Sequence, residues 1–108
     1  MKLQRDLFPG ALEMMILQSL QLRSMHGYAL VHHIQERSEE LLSVEEGSLY
    51  PALQRILKAE LVESSWEISS KNRKIRVYRI TAAGRIHLSR ESSKFETMLK
   101  GVQLVMSH

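Results

Sequence analysis

Two groups of side chains in this sequence have the types and spacing to hydrogen-bond with an anionic partner or to neutralise it. The first lies in residues 47–58 and includes Gln54, Arg55 and Lys58. Gln and Arg can each make paired hydrogen bonds to base edges in the DNA major groove. The second is residues 71–79, which hold five cations and no acid. Such a run can contact phosphates, although a solvated surface is the usual reason for a basic cluster.

The apolar spacing predicts that the first group lies on an amphipathic helix, helix 3. Leu49, Leu53, Ile56 and Leu57 stand at i, i+4, i+7 and i+8, which makes one apolar stripe. The other side carries small, polar or basic residues: Ser48, Pro51, Gln54, Arg55 and Lys58. An ordinary surface helix has the same pattern, so this stretch alone does not decide its role.

Pro51 restricts where helix 3 begins. Proline is tolerated in the first turn of a helix, where amide protons lack partners, and this favours a start near Gly47. A rival start at residues 43–46, which read as a capping box, would leave Pro51 in a kinked interior. We predict the later start and an end near Glu60.

The composition indicates one small globular domain. The chain has 108 residues, of which 44% are hydrophobic and 25% charged, and its formal charge is +3. There is no cysteine, so disulfides and thiolate metal sites are excluded. The N-terminus lacks the apolar stretch of a signal peptide, and no segment approaches the roughly twenty apolar residues of a membrane span. We therefore expect a cytoplasmic protein without a membrane partner.

Two helices are predicted before helix 3. Helix 1 runs from just after Pro9 to about Leu22, residues 23–27 form a short connection, and helix 2 runs from about Gly27 to Glu40. Their apolar sides consist of Leu12, Met15, Ile16, Leu17 and Leu20 in helix 1, and of Tyr28, Leu30, Val31 and Ile34 in helix 2.

A hairpin and a long helix follow. Residues 62–68 alternate with period two, residues 69–72 have turn chemistry, and residues 75–80 are rich in strand formers. Thr81 can cap the last helix, and Gly84 suggests a close backbone approach. That helix carries an a/d heptad seam: Leu88, Ser92, Phe95, Leu99, Val102 and Met106. We expect the seam to pair with a second copy of the chain; the alternative is that it folds back on helix 1.

These elements predict a mainly α fold with a small β-hairpin. Residues 1–81 form a winged helix-turn-helix, and residues 82–108 form a C-terminal dimerisation helix that packs with helix 1. In this fold helix 2 crosses the DNA backbone, helix 3 enters the major groove and the hairpin is the wing. Because the basic run falls in the wing, phosphate binding is a better explanation for it than solvation alone.

The same residues resemble the PadR family of transcriptional regulators, of the short type with a single C-terminal helix. The matching pieces occur in the family's order and cover nearly the whole chain: Leu12-Glu13 with Ile16-Leu17, His26-Gly27-Tyr28, residues 47–53 and residues 78–85. This chain departs from the family pattern where Asn72 occupies a turn that often has Gly, and where Val77 replaces an aromatic residue.

The resemblance implies a homodimeric repressor that binds a palindromic double-stranded DNA operator. The family's DNA-facing positions fall here on Ser48, Tyr50, Pro51 and Gln54 in helix 3, and on Asn72, Arg73, Lys74 and Arg76 in the wing. To these we add three nearby cations as candidate DNA contacts: Arg55, Lys58 and Lys71. The candidate dimerisation residues are Leu12, Leu88, Phe95, Leu99, Val102 and Met106.

A small-molecule effector is also implied, since some members resemble sensors in which an aromatic residue of the last helix stacks a flat ligand. The candidate pocket for a small hydrophobic or aromatic effector comprises Met14, Met15, Phe95, Met98 and Val102. The alternative is that Phe95 packs against its mate in the seam. The residues do not decide between repression and activation.

Other classes of function have less support. There is no paired-carboxylate pattern, phosphate loop or nucleophile elbow, so we expect neither an enzyme nor a cofactor. His32 and His33 point about 100° apart on a helix and cannot easily share an ion, so no metal is expected either. A winged-helix module that binds a protein partner stays open; it would bind DNA weakly and without sequence preference, whereas an operator-binding protein would show both preference and a steep salt dependence.

Overall fold

The structure, a computed structural model, describes residues 10–107. In chain order the elements are α1 (Ala11–Leu22), β1 (Met25–His26), α2 (Gly27–Arg37), α3 (Glu46–Lys58), β2 (Val62–Ile68), β3 (Lys74–Ile80) and α4 (Ala82–Met106). The predicted order of three helices, a hairpin and a long helix is confirmed. Residues 1–9, which include Pro9 and the predicted start of the domain at residue 1, lie outside the described residues, as does His108.

The core lies where the first three helices meet the sheet. Its most deeply buried side chains are Ile16, Leu17, Leu30, Leu49 and Leu53. These come from the apolar stripes that periodicity predicts for α1, α2 and α3. The prediction for Tyr28 was wrong, because its ring is exposed and packs at the surface against His32, with 4.3 Å between ring centroids.

The sheet has three antiparallel strands in the order β1-β3-β2. The hairpin of β2 and β3 was predicted, and its register places Trp66 opposite Arg76. Strand β1 was not predicted, since residues 23–27 looked like a plain connection. Its two residues are too few to show a period, and they become a strand by pairing with Tyr78 and Val77 of β3.

Both α2 and α3 end earlier than predicted because an acidic residue takes the left-handed conformation that usually falls to glycine. Glu39 follows α2 with φ 53°, and Glu60 follows α3 with φ 61°. After α3 the Glu60 amide donates to the Leu57 carbonyl and the Leu61 amide to the Ile56 carbonyl, at 3.0 and 2.9 Å. This is the Schellman arrangement, which stops a helix. Glu is a good helix former, so neither stop has a sequence signal.

The start of α4 is held tightly against the end of α3, as predicted for Thr81 and Gly84. The Gly84 amide donates to Thr81 Oγ1 at 3.0 Å, and the Thr81 hydroxyl donates to the Glu60 carbonyl at 2.8 Å. A Cβ at Gly84 would overlap the Leu61 carbonyl oxygen and lie 2.7 Å from Ile80 Cγ1. Only glycine therefore fits here. No helix within residues 10–107 is both long and apolar enough to cross a membrane.

Candidate nucleic-acid interface

The exposed side of α3 carries a stripe of uncharged and basic residues with no acidic residue among them. Leu49, Ala52, Leu53 and Ile56 are buried, and they fix which side of the helix faces the core. The opposite side carries residues spaced at i, i+4, i+7 and i+11, all of them exposed: Gly47, Pro51, Gln54 and Lys58. Ser48 and Tyr50 stand on either flank of this stripe and are also exposed. The predicted polar front is therefore accessible.

Helix α3 begins at Glu46, within one residue of the predicted start. The capping-box alternative is wrong, because Glu45 is the N-cap and its side chain makes no capping hydrogen bond. Pro51 is the sixth helical residue, so it lies one turn deeper than a first-turn proline. It has no amide proton to donate to the Gly47 carbonyl, and both residues face outward.

Tyr50 is positioned by the start of α2. A Cβ built on Gly27 would lie 2.7 Å from Tyr50 Oη and 3.0 Å from Cζ, so the ring occupies the space that a side chain at Gly27 would need. The same helix end is capped by His26, whose Nδ1 accepts from the Ala29 amide at 3.3 Å. The segment His26-Gly27 thus orients a residue of α3 as well as starting α2.

Arg55 differs from the other candidate contacts on α3. Its Nη2 donates to Glu13 Oε1 at 2.8 Å, which ties α3 to the first turn of α1. Lys58 and Gln54 make no ion pair or hydrogen bond with another side chain of residues 10–107. The predicted DNA-contact role of Arg55 stays a prediction, and the structure gives this residue a second, anchoring role.

The wing tip is a tight turn built on Ser69. Its Oγ accepts from the Lys71 and Arg73 amides at 3.3 and 3.1 Å, and its own amide donates to the Arg73 carbonyl at 2.8 Å. Asn72 takes φ 58°, as predicted for a residue that replaces glycine in the turn. Lys71, Asn72 and Arg73 are all exposed at this tip.

The cations of β3 are divided between the two faces of the hairpin. Lys74 and Arg76 lie on the same face as Trp66, with Lys74 Nζ 5.0 Å and Arg76 Cζ 5.7 Å from the ring centroid. Arg79 lies on the other face, where its Nη2 is 3.6 Å from Glu67 Oε2. Within the described chain no carboxylate forms an ion pair with any of the remaining wing cations: Lys71, Arg73, Lys74 and Arg76.

Tyr78 lies at the base of the wing and connects it to α3. Burial raises the pKa of its phenol above the usual 10.0, and the nearby Arg76 guanidinium offsets part of that rise. Tyr50 of α3 makes a smaller contribution to the raised pKa. The Arg76 guanidinium carbon is 5.8 Å from the centroid of the Tyr78 ring. The cations on the Trp66 face thus extend to the ring of Tyr78 at the base of the wing.

Sequence reasoning missed two contributors to this surface. The sequence presents Gly27 only as part of a motif and Trp66 only as one position of a strand. The contact between Trp66 and Arg76 could have been found from the predicted hairpin, because the correct strand register places the two residues opposite each other. No sequence signal pointed to the packing of Gly27 against Tyr50.

A groove of about 300 Å³ lies between α1 and α4. It is lined by Gly10, Ala11, Met14, Glu91, Lys94, Phe95 and Met98. Three of the five predicted effector-pocket residues therefore come together: Met14, Phe95 and Met98. Met15 instead packs on the core, and Val102 lies further along α4 and is exposed.

The predicted seam of α4 is covered at one end and open at the other. Leu12 and Leu88 are buried in the core of their own protomer, so they are not available to a second copy, and their assignment as dimerisation residues is corrected. Helix α4 packs on α1 of the same chain, from Arg85 as far as the groove at Met98, as the alternative interpretation of the seam expected. Further along, Leu99, Val102 and Met106 are 42%, 46% and 76% exposed.

Three of the histidines have local partners: His26, His32 and His87. Among residues 10–107 no group of three His, Asp or Glu side chains is arranged to hold a metal ion. His26 caps α2, and His87 Nε2 lies 3.7 Å from Glu91 Oε1.

Comparison with known proteins gives a consistent set of matches. The transcriptional regulator PadR-like family matches residues 16–90. A PadR-like transcriptional regulator from Bacillus cereus has a TM-score of 0.78 and 28% identity, covering 93% of this chain and 95% of that one. A transcriptional regulator from Clostridium thermocellum has a TM-score of 0.81 and 25% identity, covering 88% and 92%. Bacillus subtilis PadR in complex with operator DNA shares the fold, with a TM-score of 0.67, 20% identity, and coverage of 74% and 45%.

Proposed function

The chain belongs to the PadR-like family of transcriptional regulators, and we propose that it is a dimeric repressor that binds operator DNA with α3 and the wing. In this proposal the residues before α4 form the DNA-binding part, and α4 joins two copies. The stripe of Gly47, Pro51, Gln54 and Lys58, flanked by Ser48 and Tyr50, faces the major groove. Bacillus subtilis PadR, which has the same fold, was solved in complex with operator DNA, and this supports DNA as the partner.

The observation that carries the proposal is the way in which ion pairs are distributed. Arg55 and Arg79, which face α1 and the back of the wing, each have a carboxylate partner. The cations of the wing tip and of the Trp66 face have none among the described residues. These unpaired cations lie in the same domain as the exposed stripe of α3, which carries Gln54 and Lys58. They are suited to binding DNA phosphates, because each phosphate contact releases a condensed counterion.

The open end of α4 supports the proposed dimerisation. Leu99, Val102 and Met106 continue the heptad spacing and are only partly covered by their own chain. Burying them against a second copy would remove this apolar surface from water. Two linked domains would then read two half-sites about one helical turn apart, which is the spacing of a palindromic operator.

The groove between α1 and α4 is the site that we propose for a small-molecule effector. Met14, Phe95 and Met98 provide soft and aromatic surface in one groove, which suits a flat apolar molecule. The groove touches α1, and α1 is tied to α3 through Glu13 and Arg55. A ligand that moves the start of α1 would therefore bear on the DNA-reading helix, and release of DNA is the effect expected for a repressor.

Fluorescence anisotropy tests the proposal directly. The protein is titrated onto a labelled duplex from its own upstream region and onto a scrambled duplex, each at two salt concentrations. We expect tight, sequence-dependent binding that weakens steeply with salt. Equal and weak binding to duplexes tiled across the whole neighbouring region would contradict operator binding and would favour a winged-helix module that binds a protein partner.

A further inference from the structure

Trp66 is placed unusually for a tryptophan. It lies near the outer end of β2, is 60% exposed and is not one of the buried residues of the hydrophobic core. Two cations lie beside the ring, with Lys74 Nζ 5.0 Å and Arg76 Cζ 5.7 Å from its centroid. A single exposed apolar side chain is ordinary at a protein surface, so the two cations beside the ring, rather than its exposure, indicate its role. The ring is therefore better explained by what it does for Lys74 and Arg76 than by stability.

Arg76 is held from several sides. It stands directly opposite Trp66 in the sheet, and its Nε donates to Ser64 Oγ at 3.0 Å. Its guanidinium also lies over the ring of Tyr78, 5.8 Å from the centroid. Ser64, Trp66 and Tyr78 are all on one face of the hairpin, since they occupy alternate positions in paired strands. None of these partners is an acid, so the positive charge of Arg76 is oriented without being neutralised.

We infer that Trp66 is a positioning residue of the DNA-binding wing: an aromatic platform that fixes Lys74 and Arg76 in the arrangement that contacts phosphates. This inference rests on the proposed DNA-binding function. A free Lys or Arg side chain loses rotamer entropy when it binds a phosphate. A ring that already restrains both cations removes part of that loss before DNA arrives, while a carboxylate would have restrained them and cancelled their charge.

The test separates an effect through the cations from direct contact between Trp66 and DNA. Operator affinity and its salt dependence are measured for the wild type, Trp66→Leu and Trp66→Phe. Trp66→Leu should weaken binding by about fivefold to thirtyfold, with the salt slope unchanged because no charge is removed. Trp66→Phe should restore part of the affinity, since phenylalanine keeps an aromatic face. Ile68→Ala is the matched control: Ile68 is on the same face and 66% exposed, and its loss should change affinity less than twofold.

A double-mutant cycle decides the mechanism. In a Lys74→Gln, Arg76→Gln background, Trp66→Leu should have almost no further effect, because the platform has nothing left to position. The same loss in both backgrounds would overturn the inference in favour of direct stacking on DNA. An unchanged affinity for Trp66→Leu in the wild-type background would overturn it as well. Failure of the wild type to bind any duplex would instead refute the proposed function, and the inference with it.

Trp66 also provides its own signal, as it is the chain's one tryptophan. Its emission in the free protein should change in Lys74→Gln and Arg76→Gln, because the cations next to the ring are removed. Addition of operator DNA should change the emission with the same midpoint as the anisotropy titration. Emission that is insensitive to both cation substitutions would show that the platform does not form in solution.

Discussion

Tyr50 of α3 occupies the space in which a side chain at Gly27 of α2 would lie, with its hydroxyl oxygen 2.7 Å from a Cβ built there. Gly27 and Tyr50 are 23 positions apart in the sequence, so the segments His26-Gly27-Tyr28 and residues 47–53 meet at one contact between the two helices of the helix-turn-helix. The glycine is needed for the orientation of Tyr50, which we propose as a DNA contact, and this need can be tested.

Gly27→Ala should displace Tyr50 and weaken operator binding by roughly fivefold, the effect of losing one contact worth about 1 kcal/mol. The protein should remain folded, because alanine favours a helix by about 1 kcal/mol over glycine and offsets part of the steric cost. Anisotropy and thermal denaturation measure the two effects. Gly101→Ala, where a Cβ meets no atom within 4 Å, serves as the control and should leave operator affinity unchanged. Equal affinities for wild type and Gly27→Ala would show that Tyr50 does not contribute to binding.

Replacing Arg73 and Lys74 by Gln should weaken binding to every duplex to a similar degree. Both cations are exposed and unpaired among the described residues, so each is free to contact a phosphate. The slope of log affinity against log salt should become shallower by about 0.9 for each phosphate contact that is lost. Arg79→Gln, on the face where Glu67 already pairs with the cation, is the matched control and should change the slope little. If the slope is unchanged in the double variant, the wing does not contact phosphates.

Gln54→Ala should relax sequence preference more than it lowers overall affinity. Gln54 lies in the centre of the exposed stripe of α3, and a bidentate contact to a base contributes about 1–3 kcal/mol of discrimination. The ratio of affinities for operator and scrambled duplexes measures this effect. Lys58→Ala, on the same stripe, should lower both affinities together, as expected for a phosphate contact. An unaltered ratio in Gln54→Ala would place base recognition on another residue.

Leu99→Asp should dissociate the dimer and with it the high-affinity operator complex. Leu99 is 42% exposed in the protomer, so its apolar surface is available to a second copy, and a buried unpaired carboxylate costs several kcal/mol. Sedimentation velocity measures the oligomeric state. Thr97→Asp adds the same charge to an exposed position on nearly the opposite side of α4 and should stay dimeric. A Leu99→Asp variant that remains a dimer would show that Leu99 does not lie in the interface between the two copies.

The stability of the protein should fall as the pH rises above 10, and Tyr78 should account for part of the decline. Burial raises the pKa of Tyr78 above 10.0 in the folded state, so between the unfolded and folded pKa values the folded protein holds a proton that the unfolded chain has lost. Stability from this group is therefore complete below pH 10 and decreases above it. Tyr78→Phe should flatten the decline in chemical denaturation measured on either side of pH 10. Identical pH profiles for the two proteins would show that the Tyr78 phenol ionises as easily in the folded protein as in the unfolded chain.

The sequence predicts the parts of this protein that depend on local patterns and misses those that depend on which distant residues meet. Helical stripes and strand alternation locate α1, α3, the hairpin and α4 to within a few residues. The two-residue strand β1 exists only through its pairing with β3, and the contact between Arg55 and Glu13 joins residues 42 positions apart. Neither has a local signal.

The heptad seam of α4 shows the same limit in another form. Its spacing correctly indicates one continuous stripe, but spacing does not say which part the chain itself covers. Leu88 is buried in the protomer's own core, whereas Leu99 is partly exposed, and only the packing of α1 distinguishes the two. The candidate groove has the same origin, since Met14, Phe95 and Met98 come together where α1 passes α4.

The tight fit at Gly84 fixes the start of α4 against the end of α3. This contact acts as a pivot about which the rest of α4 can tilt. The pivot is formed by the Thr81 hydroxyl on the Glu60 carbonyl and by the glycine against Leu61. From Gly84 to Met106 the helix extends about 33 Å at 1.5 Å per residue. A tilt of about 5° at the pivot moves the far end by about 3 Å. The angle at which two copies cross along α4 would therefore set the separation of their two α3 helices, and with it the operator spacing that the dimer can read.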